Sequence, residues 1–339
     1  MALKKLGKQS YKLLNPPTIM SYYSIVGPKE GQGPLKKYFD LILEDDKWGQ
    51  ESFEKAEQKI QEEAIRGAID KAGLSLNEID LLLSGDLLNQ IVASGYAARE
   101  LSIPFYGLYG ACSTMTESLS LGAMLVEGGF ADKVVCATSS HYSSAERQFR
   151  FPLEYAAQRT FSAQWTVTGA GATVLSFYGS GPYITHITPG KILDPGITDA
   201  ANMGAAMAPA AMDTLINHFE DTGFKPSDYD LIITGDLGHV GKSIVLDMMK
   251  KEGYDLGGVY TDCGVEIFQQ EVQDTHAGGS GCACSAVVFN GYILKEMKKG
   301  RYNRVLFMST GALHSTMITQ QGESIPSIGH AVTVDNNYE

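Results

Sequence analysis

The sequence predicts an α/β fold made of two similar halves, each a βαβαβ-type unit, related by a pseudo-twofold axis. Two repeated patterns in the same order carry that expectation. The run Ile79-Asp80-Leu81-Leu82-Leu83-Ser84-Gly85-Asp86-Leu87 matches Tyr229-Asp230-Leu231-Ile232-Ile233-Thr234-Gly235-Asp236-Leu237 at a spacing of 150 residues. Residues 129–139 match residues 300–310 at a spacing of 171, each a helix-ending glycine, a short polar link and an apolar strand. The third observation is that each half opens on a short β-prone run, Thr18 to Val26 and Tyr183 to Thr188. Buried parallel strands need helical crossovers and cover on both faces. The halves divide at residue 180, giving units 1–180 and 181–339.

The elements follow in chain order. Phe53, Ala56, Ile60, Ala64, Ala68 and Ala72 recur every three or four positions, which predicts a helix from Phe53 to Ala72 ended by Gly73. The first Gly-Asp strand comes next, then a short strand at residues 104–109 and a turn holding Cys112. A helix rich in small residues (Ser118, Ser120, Gly122, Ala123) spans residues 113–127, as suits a buried central helix, and a strand runs from Lys133 to Thr138. In open sheets of this kind ligands gather beyond the carboxyl ends of the strands. Residues just after strands, Asp86, Cys112, His141 and Asp236 among them, are therefore the ones to interrogate.

Composition narrows the class. The chain has 339 residues, 44% hydrophobic and 19% charged, with a net charge of −12. That balance argues against a nucleic-acid partner, which needs a basic face. No uncharged apolar run reaches the roughly 18 residues of a membrane span, and no apolar core follows Lys4, Lys5, Lys8 and Lys12, so neither a transmembrane segment nor a signal peptide is expected. Five cysteines, an odd number, point to free thiols in a reducing, intracellular compartment. Cys282-Ala283-Cys284 lacks the second pair that a zinc site requires, so no metal site is expected. No cofactor is expected either, since Gly169-Ala170-Gly171 lacks the third glycine and later acid of a dinucleotide fingerprint.

Cys112 is the strongest chemical candidate. It sits between a strand and a helix N-terminus, where unpaired N–H groups and the helix dipole favour a thiolate; the alternative is a small buried core thiol. Gly110-Ala111-Cys112-Ser113 resembles the nucleophile turn of thiolases and β-ketoacyl-ACP synthases. Residues 166–175 resemble the glycine-rich strand entry of the ketoacyl synthase III branch, with Thr168 where the acid stands. The resemblance implies a thiolase-like fold with a layered α-β-α-β-α core. It also suggests a Cys112, His239 and His276 constellation able to polarise a thioester and move a proton. Departures weigh against that chemistry: Ser309-Thr310-Gly311-Ala312 carries no second cysteine, and Val240-Gly241-Lys242 replaces an Asn-x-Arg element.

Over nearly its full length the chain is similar to the stage V sporulation protein AD family of spore-forming bacteria, on residues 27–30, 85–90, 139–141, 145–150, 206–211 and 278–286. That likeness implies binding of pyridine-2,6-dicarboxylate (dipicolinate), alone or as its calcium chelate. It further implies uptake into the forespore beside membrane-embedded transport proteins, a place peripheral to the inner membrane, and a homodimer. A loop after the strand at residues 133–138 suits such a ligand. Arg147, Arg150 and Arg159 can pair with carboxylates, and Tyr142, Phe149, Phe151 and Tyr155 can stack on a planar ring. With the resemblance, Arg147 and Arg150 become the expected clamp, with His141, Asp86, Asp236 and Cys112 around it. Two readings stand: a ligand-binding protein on an acyltransferase fold, and an acyltransferase working through a Cys112 thioester. Met203, Met207 and Met212 suit a substrate gorge in the family's terms, or core filling.

Overall fold

The computed structural model describes residues 4–149 and 159–338. The first half contains β1 (Thr18–Val26), α1 (Phe53–Lys71), β2 (Leu81–Gly85), α2 (Val92–Leu101), β3 (Phe105–Gly107), α3 (Thr114–Glu127), β4 (Lys133–Ser140), α4 (Tyr142–Phe149) and β5 (Gly169–Ser176). The second contains β6 (Tyr183–Thr188), α5 (Met203–Thr222), β7 (Leu231–Thr234), α6 (Gly238–Lys251), β8 (Tyr260–Asp262), α7 (Cys282–Val287), β9 (Arg304–Ala312) and β10 (Ser327–Asp335). The helix begun at α7 continues through a π-helical turn at Val288–Ile293 and on to Lys298.

The strand order is β8-β7-β9-β10-β6-β1-β5-β4-β2-β3. Read outward from the middle, the two halves have the same order, which is the duplication expressed as topology. The Gly-Asp strands β2 and β7 each lie between two parallel neighbours. Each half differs from a plain βαβαβ unit in one respect. Its last strand, β5 or β10, runs antiparallel and inserts between the opening strand and the rest. The halves also meet edge to edge, through the antiparallel pairs Tyr183–Thr18, His186–Lys12 and Ile187–Tyr11. Most of the extra length of the second half falls in residues 263–281.

Alternation along the strands fixes the layers. On β4, Val135 and Ala137 pack against Ile60, Ala64 and Ala68 of α1, while Val134 and Cys136 face the opposite way. On β9, Leu306 and Met308 pack against Met207, Ala211 and Leu215 of α5, while Val305 and Phe307 face inward. The inward faces of both halves share one core with Met115, Leu119 and Ala123 of α3 and Val287 of α7. The result is five layers, α-β-α-β-α, with α3 and α7 between the sheets. Gly122 lets α3 lie close to β4, because a Cβ there would stand 2.8 Å from Cys136 Sγ. Helix α1 starts where the Ser52 side chain accepts from the Lys55 N–H at 3.3 Å, and ends before Gly73, whose φ is +70°. No helix among the described residues is long and apolar enough to cross a membrane.

Candidate ligand-binding site

A cavity of about 300 Å³ lies between the halves, at the carboxyl ends of the strands. Both halves line it: Cys112, Glu146, Phe149, Arg159 and Gln164 from the first, and Met203, Met207, Asp236, Ser280 and His314 from the second. A neighbouring cavity, also about 300 Å³, takes in Asp86 and Tyr109 and shares Leu87, Phe149, Ala312 and His314 with it.

The two Gly-Asp acids have diverged. Asp86 is a structural cap: its Oδ1 accepts from Leu88 N–H at 2.8 Å, and its Oδ2 from Ser94 N–H at 2.8 Å and Ser94 Oγ at 2.7 Å. In the second half Asp262, at the end of β8, does the equivalent work by accepting from Leu237 and Gly238 N–H. Asp236 is thereby released to face the cavity. It accepts from Thr310 Oγ1 at 2.8 Å, Gly281 N–H at 3.1 Å, Ser280 Oγ at 3.2 Å and the Cys112 thiol. Burial pushes its carboxyl up to about 6 against the pull of those four donors.

Cys112 occupies the expected elbow, in a 3-10 turn (Ala111–Ser113) just before α3, with Ala111 at φ +49°. The surroundings oppose the expected thiolate. A hydrogen bond with Cys282, burial and the negative charge of Asp236 all push the thiol well above its ordinary value, and together they outweigh the helix terminus. Cys282 sits at the start of α7, the counterpart of α3, and donates to Ala111 O at 3.1 Å. Iodoacetamide at neutral pH is therefore expected to alkylate Cys112 at least about tenfold more slowly than the same thiol in the unfolded chain. Asp236→Asn should speed the reaction. Peptide mass mapping reads both rates, and wild-type labelling as fast as the unfolded chain would contradict this electrostatic account.

The two histidines predicted to accompany Cys112 do not line its cavity. His239 N–H donates to Ala277 O at 2.8 Å from the first turn of α6, and burial lowers its imidazole's pKa. His276 belongs to residues 263–281, with Nδ1 2.7 Å from Thr160 O and Nε2 3.1 Å from Asp274 Oδ1. His141 is buried beside the site, its Nε2–H donating to Asp46 O at 2.7 Å while Nδ1 accepts from Ser143 N–H. Arg147 turns outward from α4 to pair with Glu54 of α1 and is half-exposed. Arg150, Phe151 and Tyr155 lie outside the described residues. Met203 and Met207 reach the cavity from α5, whereas Met212 packs in the outer core.

Of the arginines among the described residues of this series, Arg159 is the one placed in the cavity wall. Its side chain is 8% exposed, and its Nη2 donates to Asp274 Oδ2 at 2.7 Å and Asp274 O at 3.0 Å. Its guanidinium lies over the Trp165 ring, 4.9 Å from the centroid, and Tyr142 stacks on that ring at 3.8 Å. Nη1 is buried and has no hydrogen-bond partner among the described residues. Gln164 is in the same condition. Its Nε2 donates to Asp236 O at 2.6 Å and Gly279 O at 2.7 Å, which fixes the amide orientation and leaves a buried Oε1 unpartnered. A buried orphan of this kind costs about 1–3 kcal/mol, and both orphans belong to residues that line the cavity.

Sequence reasoning missed Gln164 and His314. His314 lies two residues past β9, where the strand-end rule could have found it; its ring is 5.4 Å from Phe149, and burial lowers its pKa. Gln164 gave no local signal, because its role depends on two carbonyls of the other half.

Comparison with known proteins places this geometry. The family model for stage V sporulation protein AD matches residues 7–335. Stage V sporulation protein AD of Bacillus subtilis (strain 168) is 47% identical over 333 residues, covering 98% of either chain. Among solved structures, 3-oxoacyl-[acyl-carrier-protein] synthase III from Aquifex aeolicus VF5 superposes with a TM-score of 0.56 at 13% identity, covering 94% of this chain and 99% of its own. OleA of Xanthomonas campestris with bound lauric acid and lauroyl-CoA superposes with a TM-score of 0.62 at 13% identity, covering 94% and 99%. These likenesses carry the thiolase-like fold, and the full-length match carries the kinship: the chain belongs to the stage V sporulation protein AD family, and its role is in sporulation.

Proposed function

We propose that this protein binds dipicolinate in the cavity between its halves and supports uptake of that ligand into the developing spore beside membrane-embedded partners. The observation that carries the reading is the unpartnered Nη1 of the buried Arg159, on a wall that also holds Phe149 and His314. A guanidinium suits a carboxylate, and a ring suits an aromatic neighbour. Two acids, Glu146 and Asp236, line the same space, which favours a ligand whose charge is offset by calcium as cargo. The acyl-transfer reading has less support. Cys112 faces a carboxylate, and neither His239 nor His276 lines its cavity.

Titration calorimetry with dipicolinate, with and without an equivalent of calcium, tests the proposal. Saturable heat and a raised melting temperature are expected, with tighter binding in calcium. No heat and no melting shift at millimolar ligand in either condition would overturn the proposal. An intact-mass adduct from an acyl-CoA, lost in Cys112→Ser, would instead favour acyl transfer.

A further inference from the structure

Arg159 owes its placement to the other half of the molecule. Residues 159–167 and 274–280 are laced together along one wall of the cavity. Trp165–Thr166 pairs in parallel with Gly279–Ser280, Ala277 N–H donates to Ala163 O at 3.0 Å, and Trp165 N–H donates to Gly278 O at 2.8 Å. Within this seam Asp274 takes both its side-chain oxygen Oδ2 and its main-chain oxygen to Arg159 Nη2. Its Oδ1 is 3.1 Å from His276 Nε2, so the carboxylate is held at both ends. Asp274 and His276 have φ of +48° and +50°, a left-handed backbone that costs free energy and must be held by such contacts. Lys29 Nζ lies 3.8 Å from the Trp165 centroid, so a second cation crowds the same ring, and Asp274 is the carboxylate paired with Arg159 there.

We propose that Asp274 is a positioning residue: it fixes the guanidinium of Arg159 through one nitrogen so that the other stays available as the carboxylate anchor of the cavity. This rests on the function proposed above and assigns to the longer link of the second half a part in ligand selection. Two properties follow from such a support. A rigid fork distinguishes a ligand with two carboxylates in fixed geometry from one with a single carboxylate. Freeing the fork reduces that distinction without unfolding the protein, because Asp274 itself is largely exposed, at 72%.

Asp274→Asn keeps the shape and removes the charge. It is expected to weaken dipicolinate binding by about tenfold or more, the equivalent of one charge-assisted hydrogen bond. It should also narrow the preference for dipicolinate over pyridine-2-carboxylate while the protein stays folded, with a melting temperature lowered by a few degrees. Asp274→Glu should recover part of both. A second measurement needs no ligand: phenylglyoxal labelling of Arg159, mapped by mass spectrometry, should be slow in the wild type and faster in Asp274→Asn. Equal labelling in the two proteins, or unchanged affinity and preference in Asp274→Asn, would overturn the positioning role. Faster labelling of the variant together with no dipicolinate binding by the wild type would leave the support of Arg159 intact and overturn the choice of ligand.

Discussion

Replacing Arg159 with alanine is expected to lower dipicolinate affinity by about 2–5 kcal/mol, roughly 30-fold to several thousand-fold in Kd. The size follows from burial. The side chain is 8% exposed, so a carboxylate that meets it does so with little competing water, and truncation leaves the ligand charge without its counter-charge. Arg159→Lys keeps the charge but loses the fork and the guanidinium's place over Trp165, so it should fall between alanine and wild type. Arg147→Ala should have little effect on binding, because that side chain pairs with Glu54 at the surface. Calorimetry on the three variants checks this, with thermal melting to confirm that each is folded. An Arg159→Ala protein that binds as the wild type does would remove Arg159 from the site.

Phe289→Ala should produce the largest loss of stability outside the site, about 3–5 kcal/mol. Phe289 is fully buried in the π-helical turn that continues α7, and its ring lies parallel to that of Phe307 on β9, with centroids 4.3 Å apart. Truncation removes the transfer free energy of the ring and leaves a void in the layer that both sheets share. The stacked pair itself adds about 0.5–1.5 kcal/mol. Phe289→Leu keeps most of the volume and should cost clearly less. Urea unfolding reads both, as a lowered midpoint with an unchanged slope. A loss below about 1 kcal/mol for the alanine variant would mean that the central layer closes over the gap.

Much of the architecture was legible because duplication writes itself twice. The opening strands fall on Thr18–Val26 and Tyr183–Thr188, as the β-prone runs indicated, and both Gly-Asp runs become the parallel strands β2 and β7. The antiparallel course of β5 was not legible, since residues 169–176 are buried along their whole length, as the strands of a parallel sheet also are. The site was legible in part. Strand ends pointed to Cys112 and Asp236, which the structure brings together, and to Asp86, which it uses as a cap. What the sequence did not display at Cys112 was its electrostatic setting. A helix terminus is visible in a sequence, whereas a carboxylate 124 positions away, released by a substitute cap at Asp262, is not. For the same reason Arg147 was expected in the clamp and Arg159 was not, until Glu54 and Asp274 showed where each of these two arginines turns.

The laced seam of residues 159–167 and 274–280 has a thermodynamic corollary. A guest seated against it contacts both repeats at once, so its free energy of association adds to their mutual cohesion and not to the fold of either alone. Loading therefore acts like a rivet: it slows separation of the repeats before it changes anything within them. The earliest trace of an occupied protein should be slower amide exchange at Trp165, Val167 and Ala277.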